Sequence, residues 1–285
     1  MSRRREIAKR LGTLSDIAGI MSAMKGLAVM ETRILTDFLT SQRRMVAGIE
    51  AAAAEFLAGH AEFASRPTAG GDVCVLVGSE QGFCGDFNES LLAHMEALRE
   101  ANDAPVRWVI IGRRLASRVG ERDCVELTLP GAIVADEVPT ILLRLTRALS
   151  GSLADDKLAG YGLSAFYHSD ALGDIRMRHL LPLRDLRAQG CPSPYPAELN
   201  LAPVDFLRGL TGHYLHAALN ELLYDSLMAE NRQRQAHMDR ALQKLDQDRT
   251  RLRLAYNTQR QEEITEEIEI VLLAADMVAD ADIDR

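Results

Sequence analysis

Gly78-Ser79-Glu80-Gln81-Gly82-Phe83-Cys84-Gly85 is the stretch best placed to do chemistry. Its glycines fall between a strand-like run and a helical pattern, where phosphate-cradling loops live. The spacing is not GxGxxG and no Gly-Lys-Ser/Thr occurs, so a tight turn joining strand to helix is the competing reading. Cys84 among these glycines is a candidate nucleophile, but the sequence places no histidine to activate it. His213 and His216 stand three apart, a helical spacing that suits a metal ion, with no evident third ligand. Asp276, Asp280, Asp282 and Asp284 read as a solvated tail. No two of Cys74, Cys84, Cys124 and Cys191 have CxxC spacing, and Cys74 and Cys124 read as small buried apolar residues. These residues assemble no recognisable active site. Neither a cofactor nor a metal is expected.

The elements that hold this turn alternate. Asp72–Gly78 and Arg107–Gly112 read as buried strands, with further candidates at Cys124–Leu129, Gly162–His168 and Ile175–Leu181. Helical patterns lie between them at Asp86–Ala101, Arg113–Val119 and Asp136–Leu149. Such alternation predicts an α/β fold: a small, doubly wound, Rossmann-like domain over residues 67–200. Breaker clusters at Arg66–Gly71 and Cys191–Pro196 bound it.

The flanks have another texture. His213 to Arg285 contains neither glycine nor proline, a helix-compatible run of roughly 110 Å at 1.5 Å per residue. In the first 59 residues Ile7, Leu11, Leu14, Ala18, Met21, Ala28, Leu35, Leu39, Val46, Ile49, Ala53 and Phe56 recur at helical spacing. Gly12, Gly19 and Gly26 share one stripe, suited to close passage of another backbone. Residues 1–66 and 201–285 are therefore expected to pair as a long antiparallel α-helical coiled coil. Pairing about Leu57 with about His213 sets Arg3, Arg4 and Arg5 beside Glu266, Glu267 and Glu269, and the opposite charges there support that register weakly. The longer helix then overshoots with Val271, Leu272, Leu273, Ala274, Ala275, Met277 and Val278, an apolar tip that wants a socket.

The chain has 285 residues, 47% of them hydrophobic and 26% charged, with net charge −8. That charge makes it a poor nucleic-acid binder. No apolar run approaches the ~20 residues of a membrane span, so direct membrane insertion is not expected. The arginine-rich start leads into no apolar stretch and does not read as a secretory signal.

Three blocks carry a resemblance: Arg10–Ala28 (RLGTLSDIAGIMSAMKGLA), Ser79–Asn88 (SEQGFCGDFN) and Tyr256–Ala275 (YNTQRQEEITEEIEIVLLAA), with Leu219–Met238 fitting loosely. Together they resemble the gamma subunit of F-type ATP synthases over nearly the whole chain. The resemblance implies a non-catalytic central rotor shaft that transmits torque. Implied partners are the alpha and beta subunits of the catalytic hexamer, the epsilon subunit and the membrane rotor ring. The implied location is peripheral, on the cytoplasmic face of the bacterial inner membrane. Arg234, Arg260, Gln261 and Thr265 match positions that form polar catch contacts with beta loops. Met24 and Lys25 match positions facing the acidic lever of beta. Leu272, Ala275 and Met277 would form the bearing tip, and Gly82, Cys84 and Gly85 a structural turn. Departures at Glu31, Ser79-Glu80, Asp86, Ile270 and Ala274 suggest a divergent branch. Alternatives are a gamma-like subunit of an alternate sodium-translocating ATPase, a coiled-coil adaptor, or an α/β enzyme with helical extensions.

Overall fold

Apolar runs at 72–77 and 106–111 form two central strands of a five-stranded sheet. The computed structural model describes residues 3–63, 72–101, 106–120, 124–154, 162–171, 173–183, 186 and 198–283. The expected linkers at 66–71 and 191–196 lie outside these. Strands β1 (Asp72–Val77), β2 (Val106–Ile111), β3 (Val125–Leu129), β4 (Gly162–Ser169) and β5 (Asp174–Leu181) lie in the order β3-β2-β1-β4-β5. The first four are parallel, and β5 runs antiparallel to β4. β1 and β4 are covered on both faces, which is why β1 reads as a near-continuous apolar run.

Five helices accompany the sheet among the described residues: α1 (Arg3–Gly59), α2 (Phe87–Ala101), α3 (Arg113–Val119), α4 (Val138–Ala154) and α5 (Pro203–Ile283). Alternate strand residues point to opposite faces. Val73, Val75, Val77, Val109 and Ile111 pack with α4, with α1 around Leu35 to Leu57, and with α5 around Tyr214 to Met228. Cys74, Leu76, Trp108 and Ile110 pack with Phe87, Leu91 and Met95 of α2 and Leu115 of α3.

α5 begins where proline is tolerated best, in the first turn, because Pro203 has no N–H to leave unpaired. The Ala202 carbonyl accepts the N–H groups of Asp205 and Phe206. The helix thus runs through Gly209 and Gly212 before the glycine-free stretch starts.

The chain divides into two compact units, Met1–Gly26 with Met238–Arg285, and Leu27–His237. Within the larger one, Ala28, Leu35, Leu39, Val46, Ala53 and Phe56 of the expected seam are buried and Ile49 is half-buried. There α1 and α5 run antiparallel: Arg43 pairs with Asp225 at 3.0 Å, and Gln235 donates to the Ala28 carbonyl at 2.9 Å. In the smaller unit Ile7, Leu11, Leu14, Ala18 and Met21 are half-buried. There Lys25 meets Asp239 at 2.5 Å and Arg4 meets Glu263 at 2.9 Å. The expected pairing had set Arg4 near Glu266, so this contact falls three residues away, about one helical turn. Exposed ion pairs are worth too little to fix a register. A side-chain Cβ built at Gly12, Gly19 or Gly26 meets nothing within 4 Å among the described residues.

Candidate functional site

The glycine-rich turn is built by residues that lie far apart in sequence. Gly78 has no room for a side chain, because a Cβ there would run into Leu115 of α3. Gly112 has φ 104°, and a Cβ would come within 2.6 Å of the carbonyl oxygens of Gly78 and Ser79. These two glycines let the ends of β1 and β2 approach. Gly85 has φ 65°, a conformation that favours glycine. Gly82 has ordinary backbone, and its nearest neighbour, Arg114, would lie 3.8 Å from a Cβ. Phe83 takes a positive φ of 65° and stays exposed.

Two side chains tie the turn to its neighbours. Asn88 accepts the Ser79 N–H at 3.0 Å and donates to the Ser79 hydroxyl at 2.8 Å. Glu80 accepts the N–H groups of Arg113 at 2.9 Å and Gly131 at 2.7 Å, and pairs with the Arg113 guanidinium at 2.9 Å.

From α5, Glu230, Asn231 and Arg234 reach the turn, all buried. Arg234 is 5% exposed. Its Nε donates to the Gly82 carbonyl at 3.3 Å, its Nη1 to Asn231 at 3.0 Å, and its Nη2 to Glu230. The nearby backbone of Gln81 and Glu80 also favours the charged form of Glu230. Burial pushes its carboxyl up to about 7, against the opposing pull of Arg234.

This arrangement answers both chemical readings of the turn. The Ser79 N–H is taken by Asn88, and the carboxylates of Glu80 and Glu230 are buried against the turn, which disfavours a phosphate there. Burial raises the Cys84 thiol, and its Sγ donates to the Gln81 carbonyl at 3.7 Å. A nucleophile needs the opposite shift. Cys84 is a packed core residue. His213 and His216 are exposed beside an open groove of about 440 Å³. Among the described residues no group of three His, Cys, Asp or Glu could hold a metal ion.

The residues carried over by resemblance fall in different environments. Arg234 was expected at a neighbouring subunit, yet its three guanidinium nitrogens are engaged inside its own chain, on the turn of Gly82, Cys84 and Gly85. This placement corrects the expectation for that residue. Arg260, Gln261 and Thr265 are exposed on α5, and Thr265 donates to the Gln261 carbonyl at 2.9 Å. Among the described residues Arg260 has no ion-pair partner. Met24 is half-buried, and Lys25 is held by Asp239. Leu272 is 60% exposed, next to Val271 at 67% and Ile270 at 66%. The side chains of Ala275 and Met277 lie outside the described residues; their backbone is helical. Sequence reasoning placed Gly78 in the turn and Asn88 in the resembling block, but missed Gly112, Glu230 and Asn231 as builders of the turn. Glu230 and Arg234 do stand four apart on a helix, but nothing in that spacing names their target.

Glu31, one of the departures from the resembling family, has an internal task. Its carboxylate accepts the Ala135 N–H at 3.2 Å, at the start of the helical turn leading into α4. A negative charge is favourable at that end of a helix.

Comparison with known proteins gives one consistent result. A family model described as ATP synthase matches residues 3–275. The ATP synthase gamma chain of Geobacter metallireducens is 23% identical over 72% of this chain and 72% of its own length. The ATP synthase gamma chain of Moorella thermoacetica is 24% identical, covering 97% of this chain and 99% of the relative. In fold, the chain is similar to one in the rotor of Euglena gracilis mitochondrial ATP synthase, with TM-score 0.60 and 13% identity. That likeness covers 92% of this chain and 98% of the other.

Proposed function

Because the chain belongs to the gamma family of F-type ATP synthases, as a stalk subunit of the rotor, we propose that it carries torque between a membrane ion-driven ring and a catalytic alpha/beta hexamer. Residues 1–66 and 201–285 act as an antiparallel coiled-coil axle, and residues 67–200 as the Rossmann-like foot. The foot meets the membrane ring and the epsilon subunit. The chain works from the cytoplasmic face of a bacterial inner membrane and has no active site of its own. Among the described residues no helix is long and apolar enough to cross a membrane.

The observation that carries this reading is the end of α5. Ile268, Ile270, Val271 and Leu272 are all more than half exposed on a continuous helix. Contiguous apolar surface of this kind marks an interaction site. The apolar end of α5 enters a bearing in the hexamer, with Leu272, Ala275 and Met277 lining it. Arg260, Gln261 and Thr265 face beta-subunit loops as hydrogen-bonding groups, with Met24 and Lys25 near the beta lever. Arg234 acts one step back, by fixing the turn. No observation favours the sodium-translocating alternative, the adaptor or the enzyme.

Co-expression with alpha and beta subunits tests the proposal. A tag on this chain is expected to recover a hexamer holding one copy of it. A well-behaved monomer with saturable ATP binding and no affinity for the hexamer would overturn it.

A further inference from the structure

A rotor foot must turn its shaft without slipping, and apolar packing alone is non-directional. The joint between sheet and helices contains two directional polar assemblies in addition to the apolar core. Arg178, on edge strand β5, is the first. Its Nη2 donates to Glu50 of α1 at 2.6 Å and its Nη1 to Glu221 of α5 at 2.8 Å. The guanidinium also lies 5.9 Å from the ring centre of Tyr214 on α5. Asp225 of α5 is the second. It accepts from Arg43 of α1, from the Ser169 hydroxyl at 3.0 Å, and from the Asp170 N–H at 3.1 Å at the β4–β5 turn.

The two assemblies share a geometry. Glu221 and Asp225 are four apart on α5, and Arg43 and Glu50 are seven apart on α1, so each pair lies on one helix face. Each assembly joins the same three parts: α1, α5 and the β4–β5 hairpin. The hairpin is the only antiparallel pair among the described strands. The remaining side chains of β5 are mostly exposed, whereas Arg178 is largely covered. A guanidinium holding two carboxylates in a fork fixes direction as well as distance. Lysine, a point charge on a flexible stem, cannot reproduce the fork.

We infer that Arg178 is a positioning residue for torque transfer: with Asp225 it locks the rotational register of both helices against the sheet. This rests on the rotor reading above. Ring-driven torque enters through the sheet, crosses to β5, and reaches both helices through these directional bonds.

Single-molecule rotation of the assembled complex tests it. A bead is attached to α2 of the foot through Ala97→Cys, with the hexamer fixed to a surface. Angular variance is recorded during the catalytic dwell. R178M is expected to widen that variance at least twofold, R178K to give an intermediate value, and E221Q and D225N each to widen it. Hydrolysis per complex is expected to stay within twofold of wild type, a pattern that general destabilisation does not produce. Wild-type variance in R178M, or in both E221Q and D225N should R178M not assemble, overturns the inference. A wild-type bead that never rotates overturns the rotor reading itself.

Discussion

Glu230→Gln separates two accounts of the buried pair with Arg234. If pairing dominates, removing the carboxylate strands a buried guanidinium, and the loss grows as the wild-type carboxyl ionises. If desolvation dominates, the ionised carboxylate is itself the costly state. Burial moves Glu230 from an ordinary value of 4.5 to about 7, so the second account is expected to win. Between those values the folded chain holds a proton that the unfolded chain has released, and wild-type stability falls as pH rises. The full benefit is present below pH 4.5 and is lost on passing about 7. At about 1.4 kcal/mol per pKa unit, the change is worth about 3 kcal/mol. Glutamine does not titrate. At pH 4.5 the variant should be about 1 kcal/mol less stable, the ordinary cost of exchanging one hydrogen bond. By pH 7.5 the gap should have closed or reversed, having moved about 3 kcal/mol in the variant's favour. Urea unfolding of the full chain, followed by fluorescence, measures this directly. Trp108 is the only tryptophan and is fully buried in β2, so its emission reports the sheet. A gap that widens with pH would refute the reasoning.

Gly112→Ala forces a side chain into a positive φ and against two carbonyl oxygens, and should cost about 3 kcal/mol or more. Gly82→Ala, at the more motif-like glycine, should cost less than about 1 kcal/mol by the same urea titration. Arg260→Ala should leave the unfolding midpoint unchanged, since the side chain is exposed and unpaired among the described residues, while weakening recovery of the hexamer in the tagged pull-down.

Much of the fold was legible in the sequence because burial imposes simple periods. The two central strands β1 and β2 are near-continuous apolar runs, and α3 was bounded correctly at Arg113 and Val119. Every seam position named on α1 turned inward, since a helix that buries one stripe repeats its apolar residues every three or four. Register was not legible. Arg4 chose Glu263 over Glu266, because partly exposed ion pairs follow the helix packing rather than set it. The site was legible in outline only. The turn announces itself through its glycines, but its organising groups come from α5, about 150 residues on. No local pattern says that Arg234, paired with Glu230, reaches the Gly82 carbonyl. Glu31 was legible only as a departure from the resembling family; that its carboxylate receives the Ala135 N–H, from 104 residues on, no local pattern shows.

The distribution of polarity departs in two places from what a free-standing protein needs. Asp225, Glu230 and Arg234 are inside, and each is spent on directional bonds that define the turn or hold the hairpin to the helices. Leu27, Met30 and Ile34 of α1 are outside. Buried charge is weak evidence for stability and is better suited to specifying one geometry. Exposed apolar rows are a liability until something covers them. A part that must keep its shape under load while gaining stability from its surroundings needs both features together. Stiffness then comes from the polar bonds inside the chain, and affinity from the apolar rows outside it. Mutations of the first kind should alter mechanics or folding of the chain, and mutations of the second kind should alter only its assembly.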